Sequence, residues 1–223
     1  MNKVFLFGFL IFSVFSISSC EKDKQVVYSC NSEINQFVKS NLKELSVITY
    51  DEIVGYEYDY QRAIFESLSP SNKCNLWIEK LNRTLELEWS NEEANHIMEL
   101  KNTINPSWYD IESEDSINDE KYLYLHNWSV IGVSDKGFSI WMLVSVAGKL
   151  DIELDPSNPQ LMMPSGPIGG SGSSGGGGLS DCDCSLSADF CPSTFNCETS
   201  NLCAQTAHGC GWVWTYACKG DCK

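Results

Sequence analysis

Residues 69–85, with the sequence SPSNKCNLWIEKLNRTL, predict an amphipathic helix. Ser69 and Pro70 are typical of the N-cap and the first helical position, because the hydroxyl accepts from a free backbone N–H and proline has no N–H to satisfy. The apolar residues that follow recur at intervals of three and four, as one helix face requires. They are Cys74, Trp77, Ile78, Leu81 and Leu85. Such a face must be covered, so the neighbouring segments decide the architecture.

The segments on both sides repeat the helical pattern. Apolar spacing predicts a first helix around 34–48 and a second over about 58–68. Ser90 and Glu93 form a capping box, which begins a further helix that Pro106 closes. A stretch of this length that is rich in Trp, Leu and Ile can bury a core of its own.

Two later segments complete the predicted bundle, which spans residues 30–150. Residues 124–131 suggest a helix that ends at the turn 134–137. The apolar run 138–147 fits a buried helix or a strand, because periodicity does not separate the two. We assign it to a helix, since its neighbours are helical and no partner strand is evident. The predicted fold class is mainly α: a helical bundle, then a Gly/Ser linker and a small disulfide-rich C-terminal module.

The N-terminus predicts an export signal that ends in a lipid anchor. An apolar run over 4–17 has the length of a secretory signal and is too short for a membrane-spanning helix. It leads into Ile-Ser-Ser-Cys at 17–20, which resembles the lipobox of bacterial lipoproteins; the alternative is an ordinary signal peptide with a cysteine near its end. We therefore expect a signal peptide over 1–19, a lipid on Cys20 and a tether over 20–29.

The number of cysteines agrees with this assignment. The chain has 11 cysteines, an odd number that is too high for a typical cytosolic protein, and lipidation of one leaves ten for disulfides. We expect a lipid-anchored location in the envelope of a Gram-negative bacterium, in the periplasm or on the outer surface. Within the helical part, Cys30 and Cys74 are candidates for a disulfide between two helices; two buried thiols are the alternative.

A tract without charged side chains, SGPIGGSGSSGGGGL at 165–179, separates the helical part from the C-terminus. It cannot bury enough apolar surface to offset its ordering entropy, which predicts a flexible linker. We place the whole linker at 151–179, with a proline-containing part before the Gly/Ser tract. A segment of this kind is accessible to proteases, so we expect that the C-terminal module can be released there.

Residues 180–223 form a cysteine-rich module. Its eight cysteines are Cys182, Cys184, Cys191, Cys197, Cys203, Cys210, Cys218 and Cys222. A segment this short cannot form a sufficient hydrophobic core, so we predict four disulfides, whose pairing the sequence leaves open. A metal site that includes His208 is the alternative, but the oxidising location and the lack of a Cys-x-x-Cys pair favour disulfides. We therefore expect no metal and no cofactor.

Four short motifs lie among these cysteines: Cys-Asp-Cys at 182–184, Asp-Phe-Cys-Pro at 189–192, Phe-Asn-Cys at 195–197 and Gly-Cys-Gly-Trp-Val at 209–213. Together with the cysteine spacing, they resemble the fulvocin C-related bacteriocins over about residues 181–220. The resemblance implies a bacteriocin-like peptide on a membrane-anchored precursor. Its expected partner is then the envelope of a target cell, or a receptor there.

Three aromatic residues of the module alternate along the chain, namely Trp212, Trp214 and Tyr216. On an extended strand their rings would share one face, and such rings favour the membrane–water interface. This face is therefore a candidate contact with a membrane or another target. The alternative is that Trp212 and Trp214 form the small core of the module. The net charge of the module is −3, which offers no attraction to anionic lipid.

Charge and residue spacing argue against several function classes. The chain has 30 acidic and 15 basic residues, and its formal net charge of −15 disfavours contact with nucleic-acid phosphates. His96, His126 and His208 are scattered without a nucleophile motif. The acidic stretch 112–120 lacks the EF-hand pattern and is expected to be a solvated loop. We therefore expect that this protein is not an enzyme.

These observations predict a membrane-anchored, bacteriocin-like protein whose disulfide-stapled module has antimicrobial activity against the cell envelope. The helical part would carry the module or keep it inactive. The alternative is a non-catalytic surface lipoprotein whose Cys-rich module serves in adhesion or recognition.

Overall fold

In this computed structural model the described residues are 26–29, 31–110, 120–152, 180–181, 184–185, 197–199, 203–204 and 206–222. Seven α-helices lie within these ranges, so the prediction of a mainly α fold is confirmed. They are α1 (Ser32–Leu45), α2 (Tyr50–Ile53), α3 (Tyr58–Ser67), α4 (Pro70–Leu85), α5 (Asn91–Thr103), α6 (Glu120–Asp135) and α7 (Ile140–Ala147), with a 3-10 turn at Pro106–Tyr109 after α5.

The local signals at the helix starts are confirmed. The Ser69 hydroxyl accepts from the N–H of Asn72, with Pro70 at the first position of α4. Ser90 and Glu93 form both hydrogen bonds of the capping box of α5. The ambiguous run 138–147 contains α7, as assigned.

One short helix and one helix end differ from the sequence prediction. Thr49 and Glu52 form a capping box that starts the single turn α2, which the apolar periodicity did not reveal. Helix α5 ends at Thr103, ahead of Pro106, and that proline begins the 3-10 turn. The proline ring restricts φ to a helical value, and proline has no backbone N–H. Both properties suit the first position of a helical turn.

Helix α4 lies at the centre of the helical part and contacts α2, α5, α7 and the 3-10 turn. Trp77 and Leu81 on its inner face are fully buried. Helix α3 packs against α1 and contributes the buried Phe65. Apolar burial of this extent is the main stabilising contribution of the bundle.

The described residues of the C-terminal part contain six short strands: β1 (Ser180–Asp181), β2 (Cys197–Thr199), β3 (Cys203–Ala204), β4 (Thr206–Cys210), β5 (Tyr216–Cys218) and β6 (Gly220–Cys222). They pair as β1 with β3 in parallel, and as β2 with β6 and β4 with β5 in antiparallel orientation. Two disulfides join described cysteines, one between Cys184 and Cys197 and one between Cys210 and Cys218. These disulfides stabilise a module that is too small to be stabilised by a hydrophobic core of its own.

The predicted disulfide between Cys30 and Cys74 is wrong. Cys74 is a free thiol, buried on the inner face of α4 within the hydrophobic core. Burial also raises the pKa of this thiol, which disfavours the reactive thiolate. Cys74 therefore behaves as a small apolar residue of the core.

Several predictions fall outside the described residues. They concern the signal peptide 1–19, Cys20, Cys30, the acidic residues 112–119, the linker beyond Ile152, Cys182 and Cys191. Cys203 and Cys222 lie in strands whose side chains are not described. None of the helices in the described ranges has the length and apolar character needed to cross a membrane.

Gly220 is required by the close pairing of β2 and β6. A Cβ atom at this position would lie 2.6 Å from the Glu198 carbonyl oxygen and 2.7 Å from Cys197 Sγ. We expect Gly220→Ala to destabilise the module by about 1–3 kcal/mol, because the backbone must shift. Denaturant unfolding of the oxidised chain checks this, with the exposed Lys219→Ala as control; equal stability of the two variants would contradict it.

Candidate functional site: a buried Trp-Val-Trp loop

A short loop joins β4 to β5 and contains a 3-10 turn at Trp212–Trp214. It is preceded by Gly211, whose φ of 70° and ψ of −167° are open to glycine alone. Val213 and Trp214 also have positive φ, 46° and 52°. The prediction of an extended strand is therefore wrong here, because the chain folds back on itself between the two strands.

The aromatic side chains of this loop are not exposed. Trp212, Trp214 and Tyr216 are 7%, 1% and 1% accessible, and with Val213 they belong to the same hydrophobic core as the helices. The predicted membrane-facing surface is therefore absent from this structure. The alternative prediction is correct in that Trp212 and Trp214 are buried, but their described ring partners lie on helices and not within the module.

Trp214 is enclosed by three rings of the helical part. Its ring makes edge-to-face contacts with Tyr58, Phe65 and Trp77 at centroid distances of 5.9, 5.2 and 5.8 Å. Its indole N–H donates to the Gly148 carbonyl oxygen over 2.9 Å. Each edge-to-face pair adds about 0.5–1.5 kcal/mol beyond the buried area. Trp214 is therefore the anchor of the module on the helices.

The neighbouring loop residues are held in the same way. The ring of Trp212 contacts that of Trp128 on α6, with 5.8 Å between centroids. The Tyr109 hydroxyl donates to the Val213 carbonyl oxygen over 2.9 Å. Val213 itself is fully buried. The helices thus bind the backbone of the loop as well as its rings.

Two buried cations of the helical part point at the module. Lys121 Nζ donates to the Thr215 carbonyl oxygen over 3.4 Å and lies 5.6 Å from the ring centroid of Tyr216. Arg62 Nη2 lies 2.8 Å from Cys218 Sγ and 3.5 Å from Cys210 Sγ. The guanidinium therefore contacts both sulfurs of the disulfide that closes the β4–β5 hairpin.

A third cation belongs to a charged cluster at the edge of the site. Lys73 Nζ lies 3.2 Å from His208 Nδ1 and 3.8 Å from Glu66 Oε2, and the His208 backbone N–H donates to the same oxygen over 3.1 Å. Burial lowers the pKa of Lys73, and the negative charge of Glu66 opposes this shift. His208, which the sequence offered as a metal ligand, is thus part of an ion-pair cluster. The described residues contain no group of three potential metal ligands.

The loop conformation is strained. A β-branched residue with positive φ is a genuine outlier, and each such residue costs of order 1–3 kcal/mol. The cost at Val213 is offset where surrounding contacts hold the conformation, here the Tyr109 hydrogen bond and the rings around Trp214. The strained loop therefore depends on the helices that enclose it.

Tyr109 links the stability of this site to pH. Burial raises the pKa of its phenol well above the ordinary value, whereas the unfolded phenol ionises near pH 10. Its contribution is fully present below about pH 10 and is lost as the pH rises further. We expect Tyr109→Phe to cost about 1 kcal/mol at neutral pH and progressively less at alkaline pH.

Denaturant unfolding at pH 7 and above pH 10 measures this difference. Tyr50→Phe should show the same trend with pH at a place outside the loop, because the Tyr50 phenol is also buried, has a raised pKa and donates to the Leu150 carbonyl oxygen. A Tyr109→Phe effect that does not change with pH would contradict the prediction.

The helical half of this site was not predicted from the sequence. Arg62, Lys73 and Lys121 were not singled out from the sequence, and all three are buried. A signal was present on α4, where Lys73 and Lys80 lie four residues before and three after the buried Trp77, on the same side of the helix. Lysines on the same side of a helix as a buried tryptophan indicate that the inner face of α4 contacts polar groups of another segment.

Comparison with known proteins gives one partial similarity. The chain is 43% identical to the bacteriocin fulvocin-C of Myxococcus fulvus over 42 residues, which are 18% of this chain and 93% of that peptide. The length of the match is that of the Cys-rich module, whose motifs carry the resemblance. No family model matches the chain, and no solved structure matches it.

Proposed function

Because this chain belongs, through its Cys-rich module, to the family of the bacteriocin fulvocin-C, we propose that the module is an antimicrobial peptide stored on the helical part. The peptide acts on the envelope of a competing cell once it has left the helices. The similarity covers nearly the whole length of the bacteriocin, which supports the proposal that the module is a bacteriocin-like peptide.

One observation supports storage in an inactive form. The Trp-Val-Trp loop, Trp212–Trp214, carries both tryptophans of the module, and in this structure all three of its side chains are buried against the helical part. Tryptophan rings insert readily at a membrane–water interface, but only when they are exposed. The docked loop therefore offers no exposed tryptophan ring to a membrane, whereas the released loop does.

The rest of the proposal follows from the sequence. We infer a lipid on Cys20 that anchors the chain in the cell envelope, and a role without catalysis, metal or nucleic-acid partner. The Gly/Ser tract 165–179 supplies a site for proteolytic release, since it presents uncharged small residues.

A growth-inhibition assay tests the proposed activity. A specific protease site is placed in the tract 165–179 of the full chain, and the folded oxidised protein is cut. The module is then separated in denaturant without reductant, so that its disulfides stay intact. We expect the separated oxidised module to inhibit related strains, and the uncut chain and the reduced module not to.

A variant pair sharpens the same assay. Trp214→Ala should remove inhibition by the separated module, whereas the exposed Glu198→Gln should retain it. Failure of the oxidised module against every strain would contradict the proposal. Binding to cells without inhibition would instead favour an adhesion or recognition module.

A further inference from the structure

We propose that the helical part is a receptor for the Trp-Val-Trp loop: it keeps the module bound after the linker is cut and binds the module of a second copy of the chain. The inference rests on the proposed function only for its biological purpose. Binding itself can be measured whether or not the module inhibits growth.

The described contacts between the module and the helical part need no covalent connection. Each joins a residue between Tyr58 and Gly148 to a residue between His208 and Cys218. A linker contributes only an effective concentration, which is of the order of millimolar for short flexible chains. Cutting the linker removes that contribution and leaves the ring contacts and hydrogen bonds between the loop and the helical part in place.

The site recognises a particular kind of partner. Tyr109 and Lys121 donate to the Val213 and Thr215 carbonyl oxygens, so the loop backbone must be folded as a turn. Arg62 contacts both sulfurs of the Cys210–Cys218 bridge, and this bridge holds the two sulfurs together in front of the guanidinium. The partner that fits is therefore a disulfide-closed hairpin with a tryptophan at the tip.

Departure of the module would leave an empty site with aromatic side chains on its surface. Phe65, Trp77 and Tyr109 are fully buried with the module in place, and departure of Trp214 would remove a ring that covers Phe65 and Trp77. Lys73 would lose its contact with His208. Exposed aromatic surface favours rebinding of a matching partner. The empty receptor therefore captures free modules that reach it.

A consequence follows for release. Proteolysis of the linker is necessary but not sufficient, because the cut module stays bound until a second event removes it. Empty receptors on the surface of the producing cell would also bind free modules. Binding of this kind would protect that cell from its own peptide.

Size-exclusion chromatography of the cut full chain tests retention. We expect both fragments of the native, oxidised protein to elute together at micromolar concentration, as the uncut chain does. Trp214→Ala should let the fragments separate, and the exposed Val47→Ala should not. Separation of the wild-type fragments, or co-elution of the Trp214→Ala fragments, would overturn the inference while leaving the antimicrobial proposal untouched.

Isotope exchange tests capture between copies. Cut chains made in light and heavy medium are mixed, and native mass spectrometry follows light helical parts that carry heavy modules. We expect mixed complexes to appear, and to appear about fivefold faster for Tyr109→Phe, which retains the fold but lacks one hydrogen bond to the loop. Absence of mixed complexes after the fragments of Tyr109→Phe have had time to dissociate would overturn capture in trans.

Discussion

Trp214→Ala is expected to lower the free energy of unfolding by about 3–5 kcal/mol, as truncation of a buried tryptophan does. The indole lies between the rings of Phe65 and Trp77, and its N–H is bonded to the Gly148 carbonyl oxygen. Alanine leaves a cavity where the helices and the module meet. Because the loss lies at that junction, the module should detach from the helices before the bundle unfolds.

Urea unfolding followed by near-UV circular dichroism measures this loss. Glu198→Ala is the matched control within the module, because its side chain is exposed and a substitution there should change stability by no more than about 0.5 kcal/mol. A Trp214→Ala variant as stable as this control would show that the tryptophan does not anchor the module.

The second large effect is expected at the buried ion pair beside the loop. Lys73→Met should destabilise the protein by about 3 kcal/mol, because Glu66 then keeps its charge without the cation that lies 3.8 Å away. Glu66 also accepts the backbone N–H of His208 in the module. The variant should therefore lower both the stability of the helical bundle and the strength of its binding to the module.

A double-mutant cycle separates the pair from simple packing. Lys73→Met combined with Glu66→Gln removes both charges and retains an oxygen that accepts from His208, so the double variant should recover most of the lost stability. Unfolding free energies of the four proteins give the coupling between the two residues. Additive effects of the two single variants would contradict a direct interaction.

Local signals in the sequence predicted the helical elements well. Ser69 with Pro70, and Ser90 with Glu93, act within one helical turn, so residue types alone identify these helix starts. The density of cysteines likewise predicted a disulfide-rich module, and two of its bridges lie among the described residues. In each case the cause lies in composition or in nearby residues.

The docking of the module was not predictable in the same way. It depends on the positive φ of Val213, a conformation that valine disfavours and that no propensity scale would assign to it. It also depends on contacts such as that between Tyr109 and Val213, which lie 104 residues apart in the chain. Long-range packing overrode the local alternation that suggested an exposed strand.

The failed disulfide prediction has a related cause. Lipidation of one cysteine would leave an even number, and this count alone makes a disulfide between Cys30 and Cys74 plausible. In the structure, Cys74 is a free thiol on the inner face of α4, within the hydrophobic core. The number of cysteines constrains how many bridges can form, but position in the fold decides which thiols meet.

The central claim is that the Trp-Val-Trp loop is buried in the helical part of the intact chain. Hydroxyl-radical footprinting read by mass spectrometry measures this directly, with Met98 as an exposed internal standard and Trp77 as a fully buried one. We predict that Trp212 and Trp214 of the folded chain are oxidised as slowly as Trp77. Oxidation of both tryptophans at the rate expected for exposed rings, in a chain whose Trp77 stays protected, would contradict the account.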